Sequence, residues 1–451
     1  MNFKYSIIVA AVASALLAYQ PASAQSLKDA VEQTIKTNPD VLIEADKRLQ
    51  TDQTLKQANA GYLPKVDLGM GIGTELSYNI TTRKTKPPHI GEHDWRSMGR
   101  TESSLTLTQM LYDGSATYSE VQRQTARQES AAYKVAGTSE QIGLRAVEAY
   151  LEVLRRQEEL GLIQENLAAT ERIYGQIKVR AQSGVGRKAD LEQAEARLAL
   201  SQANVESAQA NLRESKISFL RVVGSKPDGL DKAADVNCEL FPATVDEAVQ
   251  VAYANHPLLR SANADYEATL AQVSAAESKM KPRFDLQLGT DWNNNQDGVK
   301  YQDNDAYAMV RMQYNLYHGG ADAARISETK LQTIEAQEVL SRTQRQVEES
   351  TSLSWNALQT AIDRLPKLKS YADNTEQTRD AYAKQFSIGQ RTLLDLLDSE
   401  NELYTARNDY VDAQYVERFA GYRLMADMGR LLDTLGVAPR EESQITSNTR
   451  P

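Results

Sequence analysis

Four short stretches of the chain alternate apolar and polar residues with period two. Val66, Leu68, Met70 and Ile72 alternate with Asp67, Gly69, Gly71 and Gly73. Leu105, Leu107 and Leu111 alternate with Thr106, Thr108 and Met110. Phe284, Leu286 and Leu288 alternate with Asp285, Gln287 and Gly289, and Val310, Met312, Tyr314 and Leu316 with Arg311, Gln313 and Asn315. Successive side chains on a strand point to opposite faces, so this period predicts four strands, each wet on one side. Elsewhere the period is helical. From Tyr112 to Gln182 it persists for about 70 residues, roughly 100 Å at 1.5 Å per residue. No proline occurs from His89 to Lys226 and no glycine from Ala321 to Ile388. The returning helices repeat every seven residues: Leu191, Leu198, Val205, Leu212 and Phe219, with Ala194, Ser201, Ala208 and Ser215 between them. In the second half Leu396, Leu403 and Tyr410 recur, with Ser399, Ala406, Ala413 and Ala420. A seven-residue period with small residues in the seam predicts coiled-coil packing of closely approaching helices.

The pattern occurs twice. Ala30, Asn38-Pro39 and Leu63-Pro64-Lys65-Val66-Asp67-Leu68 match Ala248, His256-Pro257 and Lys281-Pro282-Arg283-Phe284-Asp285-Leu286 at a constant offset of 218. Leu111-Tyr112-Asp113-Gly114 matches Leu316-Tyr317-His318-Gly319, and Gly184, Asp190, Glu195 and Gly224 match Gly389, Asp395, Glu400 and Gly429, at an offset of 205. One 13-residue length difference between about residues 73 and 103 accounts for the change. The chain is therefore expected to be a duplication of one unit: helix, strand, strand, long helix, glycine turn, return helix. Residues 25–225 form the first repeat, with a hairpin at about 63–112 and a tip turn near 184. Residues 226–242, with Pro227, Gly229 and Pro242, read as a linker. Residues 243–435 form the second repeat, with a hairpin at about 282–317 and a tip turn near 389. The polar tail 436–451 reads as disordered.

The wet strand faces carry Asp67, Asp285, Gln287 and Arg311, which suits barrel strands that are apolar toward lipid and polar toward a lumen. Four strands cannot close, since the smallest such barrels use about eight, and open edges cannot lie in lipid. Several chains must share one barrel. The loop of the first hairpin is basic (Arg83, Lys84, Lys86, Arg96, Arg100), and its His89 and His93 read as loop residues more readily than as metal ligands. The second loop, Asn293-Asn294-Asn295 to Asn304, is shorter and turn-like. Gly161 and Pro366 occupy equivalent positions, each 23 residues before its tip glycine, and predict a bend or loosening in both long helices.

Residues Met1 to Ala24 read as a secretory signal, with Lys4, an apolar stretch from Ile7 to Tyr19, and Ala22-Ser23-Ala24 before a cleavage point at Gln25. No cysteine follows that point, so lipid attachment there is not expected, and Cys238, the lone cysteine, allows no intrachain disulfide. Beyond the signal no apolar run approaches the ~18 residues of a membrane helix, and mean hydropathy is −0.53. Net charge is −10, or −11 (50 basic against 61 acidic) once Lys4 leaves, which argues against a nucleic-acid partner.

These features resemble the TolC family of outer-membrane factors. The matching residues are Asn38-Pro39 and His256-Pro257, Leu63-Pro64 and Lys281-Pro282, Leu-Tyr-Asp-Gly and Leu-Tyr-His-Gly-Gly, and the tips from Gly184 to Glu195 and Gly389 to Glu400. The resemblance implies a mainly α fold with a β-barrel part. Three protomers of a homotrimer share a 12-stranded outer-membrane barrel continued by an α-helical periplasmic tunnel. It also implies no cofactor, and as partners a periplasmic adaptor, an inner-membrane ABC or proton-driven transporter and outer-membrane lipid. By position, Ser183, Gly184 and Val185, with Ile388, Gly389 and Gln390, would be the tips an adaptor grips. Gln390 to Asp398 resembles the gate segment, so Asp395 and Asp398 would line a constriction while Arg391 and Asp190 help hold it shut. Phe386 and Ala189 stand where the family has a gate-linking tyrosine and a threonine, leaving more of the latch to Arg391. For Asp395 there is also a plainer reading, a carboxylate favoured at a helix N-terminus.

The stretch from Arg145 to Arg213, with Glu148-Ala149-Tyr150-Leu151-Glu152-Val153-Leu154-Arg155 and Ser183-Gly184-Val185-Gly186-Arg187, resembles the branch serving type I secretion of large adhesins more than the drug-efflux branch. A soluble periplasmic coiled-coil adaptor or scaffold would explain the signal and helices but not the four strands. Nothing resembles a phosphate loop, clustered metal ligands or a placed nucleophile, so an enzyme is not expected.

Overall fold

The structure, a computed structural model, describes residues 25–80, 82, 95–227, 229–232 and 241–445. The signal, Arg83, Lys84, Lys86, His89, His93, Cys238 and residues 446–451 lie outside the described residues. The first half runs α1 (Leu27–Thr37), α2 (Pro39–Asn59), β1 (Lys65–Ser77), β2 (Arg96–Tyr112), α3 (Ala116–Gln182) and α4 (Lys188–Val223). The second half repeats that order: α5 (Val245–Asn255), α6 (Pro257–Glu277), β3 (Arg283–Asn294), β4 (Gln302–Gln313), α7 (Ala321–Ser387) and α8 (Leu393–Asp427), followed by the single turn α9 (Leu431–Thr434).

Each half opens with two helices where the sequence pattern suggested one. Asn38 and His256 take extended backbone, at ψ 127° and 119°. The following proline disfavours helical backbone at the residue before it, so the helix stops and restarts. The long helices α3 and α7 each span 67 residues, and neither Gly161 nor Pro366 interrupts them.

By contact the chain divides into two units. One comprises residues 48–131 and 262–341 and holds the four strands. They form an antiparallel sheet in the order β1-β2-β3-β4. The register puts Val66 opposite Leu107, Leu68 opposite Leu105, Leu107 opposite Leu288, and Leu286 opposite Val310, so one face is predominantly apolar, broken on β2 by Thr101, Ser103 and Gln109. Much of it is open in the single chain: Leu68 is 67% and Ile72 89% exposed. The other face carries Asp67, Glu75, Arg100, Glu102, Asp285, Asp291 and Arg311. There Arg100 donates to Glu75 at 2.9 Å and to Glu102 at 2.6 Å. Gly71 makes room for this row, because a Cβ at that position would meet the Glu102 side chain.

Three strand details differ from the sequence reading. Arg96 and Arg100 lie on β2 rather than in the loop, because pairing with β1 continues as far as Ser77 opposite Arg96. A bulge between Met110 and Tyr112 breaks the period, so Tyr112, not Leu111, continues the apolar face opposite Phe284. β4 ends at Gln313 although alternation runs on to Leu316, since its partner strand begins at Arg283. The Leu-Tyr-Asp-Gly exit is a tight crossing. Gly114 sits at φ +71°, a Cβ there would meet the Ser278 carbonyl, and Lys281 donates to the Gly114 carbonyl at 3.3 Å. Asp113 then caps α3, accepting the Thr117 backbone N–H at 2.8 Å.

The other unit comprises residues 25–47, 132–261 and 342–445 of the described chain. Its main core joins Val31 and Ile35 of α1, Val147 and Tyr150 of α3, Phe219 of α4, Leu358 of α7, and Leu424, Met425 and Leu431 near the C-terminus. Burying each such side chain contributes about 1.5–3 kcal/mol. The Tyr150 ring lies 6.3 Å from that of Phe219, and its hydroxyl shares its one proton between the Gln25 and Asp231 carbonyls, at 2.8 and 2.7 Å. The heptad seams are buried at Ala194, Ser201, Val205, Ser215 and Phe219, and at Leu396, Ser399, Leu403, Ala406 and Ala420. The first residues after Gly436, in the stretch expected to be disordered, pack against the rest of this unit. Val437 is buried in the main core, and Arg440 donates to the Ile35 carbonyl at the end of α1 at 3.3 Å.

Candidate functional site

Both tip turns have the same backbone solution. The long helix ends with a glycine in the left-handed region, Gly184 at φ +80° and Gly389 at φ +79°. The Val185 N–H bonds to the Arg180 carbonyl and Gly184 to Ala181; in the second turn Gln390 bonds to Gln385 and Gly389 to Phe386. This paired pattern closes the last open carbonyls of each helix and turns the chain sharply. It leaves Val185 84% and Ile388 68% exposed. Both side chains are open to contact with another molecule.

Just behind the tips a small cluster ties the two hairpins together. Ile173 and Ile177 of α3, Ala194 of α4, Phe386 of α7 and Leu393, Leu396 and Leu397 of α8 are all buried in it. Two guanidinium groups lie over rings at its edge: Arg180 at 5.0 Å from the Phe386 centroid and Arg391 at 4.1 Å from that of Tyr382. Phe386 thus holds an arginine from the other hairpin where a tyrosine would have offered a hydroxyl.

The four expected gate residues are placed differently from one another. Asp395 is the third residue of α8 and forms a capping box with Thr392. Its carboxylate accepts from the Thr392 N–H at 3.0 Å and hydroxyl at 2.9 Å, and its own N–H donates to that hydroxyl at 3.2 Å. The Thr392 backbone bond, then its hydroxyl and the Arg391 charge, hold the Asp395 carboxyl below the usual range. Arg391 donates to Gln385 at 3.1 Å and stands 3.9 Å from Asp395. Asp190 makes no hydrogen bond or ion pair among the described residues, and Arg391 is engaged elsewhere, so the structure does not bring these two together within one chain. Asp398 is exposed and accepts from Arg197 of α4 at 3.2 Å. Arg197, Arg180 and Tyr382 were not singled out by sequence. Arg197 and Asp398 are 201 positions apart, and only the paired heptads of α4 and α8 hint that they are neighbours.

Among the described residues no helix is long and apolar enough to cross a membrane, and no group of three or more His, Cys, Asp or Glu could hold a metal ion. Among the described residues the sheet, with its open apolar face, is the element suited to lipid. A sheet of this kind with paired helical hairpins defines an outer-membrane channel subunit, mainly α with a β-barrel part. The family model described as outer membrane efflux protein matches residues 8–225 and 248–430, and the chain belongs to that family. It is 26% identical over 436 residues to the outer membrane efflux protein BepC of Brucella suis biovar 1, covering 96% of this chain and 92% of that one. It is 26% identical over 406 residues to the outer membrane protein TolC of Vibrio cholerae serotype O1, covering 87% and 88%. The solved outer-membrane channel OprN superposes with a TM-score of 0.76 at 17% identity over 90% of each chain, a likeness of fold. The protein is a passive channel of the outer membrane with a periplasmic helical part, not an enzyme.

Proposed function

We propose that this chain is the outer-membrane exit duct of a tripartite export system, working as a homotrimer in which three four-stranded sheets close one barrel. The tips Ser183-Gly184-Val185 and Ile388-Gly389-Gln390 are gripped by a periplasmic adaptor that couples the duct to an inner-membrane transporter. The gate lies beside them, with Asp395 and Asp398 at the constriction and Arg391 and Asp190 flanking it. The observation that carries this reading is the matched pair of tip turns, each ending on an exposed aliphatic side chain above a cluster that joins both hairpins. Substituting Val185→Asp together with Ile388→Asp should abolish export while leaving the channel assembled in the outer membrane. Unimpaired export would refute the docking role.

For the cargo, the Ser183 to Arg187 tip and the Glu148 to Arg155 segment favour type I secretion of a large adhesin. The second reading, small-molecule efflux, is favoured by the likeness to BepC, whose name is that of an efflux protein. Deleting the chain separates them. Loss of a giant adhesin from the cell surface supports the first reading, and increased drug sensitivity with the adhesin still displayed supports the second.

A further inference from the structure

The candidate gate contains a cation contributed by the other half of the chain. Arg197 lies on α4 about two turns beyond Asp190, and its guanidinium donates to Asp398 on α8 at 3.2 Å. Packing places both residues. Ala194, three residues before Arg197, is 1% exposed and Leu397, adjacent to Asp398, is 5% exposed, and both belong to the cluster behind the tips. Other charges nearby are already engaged: Arg391 with Tyr382 and Gln385, Asp395 with Thr392, and Glu400 with Arg379. Among the described residues Arg197 is the one cation within ion-pair distance of Asp398.

Two further ion pairs link the first half of the chain to α8, both from α3. Arg407 pairs with Glu165 at 3.2 Å, and Arg155 with Asp412 at 2.8 Å. Along α8 these sit progressively farther from the tip than Asp398. Arg197–Asp398 is therefore the nearest of the three to the tips. An exposed ion pair adds little to stability. Its electrostatic effect is larger where ions must pass in single file beside a ring of side chains.

We propose that Arg197 is a positioning and selectivity residue of the gate: it holds the start of α8 against α4 and neutralises Asp398 until the tips part. The inference rests on the gate reading above. In the resting channel Asp395 then faces Arg391 and Asp398 faces Arg197, and Asp398 adds its charge only when Arg197 lets go.

The test is single-channel current through the purified full-length channel in planar bilayers, with magnesium ion as blocker. Asp398→Ala examines the gate reading itself and should weaken magnesium block. Arg197→Ala and Arg197→Gln should lower the half-blocking magnesium concentration by about threefold or more, because they free a carboxylate at the constriction, and should raise resting conductance. Arg197→Lys should resemble the natural channel. Arg197→Asp combined with Asp398→Arg should return block to near its natural value, and the tighter block of the Arg197 truncations is the readout that a merely structural role would not move. If Asp398→Ala weakens block but both Arg197 truncations leave block and conductance unchanged, this inference is overturned while the gate reading stands. If Asp398→Ala changes nothing, the gate reading falls and takes the inference with it.

Discussion

The Glu140 carboxylate on α3 accepts the backbone N–H groups of Leu431 and Leu432 at 3.0 and 3.4 Å, tying the long helix to the start of α9. Burial is the largest influence on it and pushes its pKa up to about 7. The two backbone bonds oppose that rise and Asp433 adds to it. The folded chain therefore holds a proton over a window, from about pH 4.5 to about 7, in which the unfolded chain has lost it. For an acid shifted upward, stability is greater at the low end of this window and declines as pH rises through it, by roughly 3 kcal/mol at most. Melting curves taken across this range should show the natural protein losing several degrees relative to Glu140→Gln. Parallel pH profiles for the two proteins would contradict this.

Thr392 caps α8, whereas Arg187, its equivalent in the first half, makes no side-chain cap. Thr392→Ala should destabilise the second tip by about 1 kcal/mol. Arg187→Thr should give α4 a capping box with Asp190 and protect the first tip. Hydrogen exchange at the amides of residues 188–192 and 393–397 reads both effects. Unchanged exchange in Arg187→Thr would show that the two halves start their return helices by different means.

Gly161 lies in the middle of α3, and a Cβ at that position meets nothing within 4 Å. Gly161→Ala should stabilise the protein by about 0.5–1 kcal/mol, through helix propensity alone. At Gly143 on the same helix a Cβ would meet Leu432 at 3.1 Å and Val31 at 3.5 Å, so Gly143→Ala should be destabilising instead. Thermal melting distinguishes them. A loss of stability and of channel activity in Gly161→Ala would mean that the flexibility of this position is used.

Removing both carboxylates of the gate segment, Asp395→Ala with Asp398→Ala, should weaken divalent-cation block more than either change alone. Asp395→Ala also removes one side of the capping box, so Asp395→Asn, which keeps an acceptor for the Thr392 N–H, is the control that separates charge from helix capping. Equal block in the double variant and the natural channel would exclude both residues from the constriction.

Much of the fold was legible in the sequence because it is built from long periodic segments and occurs twice. The constant offsets, the period-two stretches and the tip glycines anticipated the strands, the long helices and both turns. What escaped was either a break in period or a contact between distant segments. The bulge at Met110 and Tyr112 inverts parity by one residue, which alternation cannot register. The restart of each first helix at Pro39 and Pro257 was visible as a motif but read as part of one helix. Val437 is one of few apolar residues in a polar tail and belongs to no periodic run, so no pattern announced its burial. At the gate, the chemistry of Asp395 and Asp398 was legible but their partners were not. Thr392 is local and could have been found as a capping box. Tyr382 and Arg197 reach the site only through the turn of one hairpin and the packing of two.

The central claim is that this chain's four strands form part of a shared barrel rather than a sheet of a soluble protein. Fractionating the cell envelope and measuring the mass of the detergent-solubilised species by light scattering tests it directly. A heat-sensitive trimer in the outer-membrane fraction is the expected result. A monomer in the soluble periplasmic fraction would contradict it.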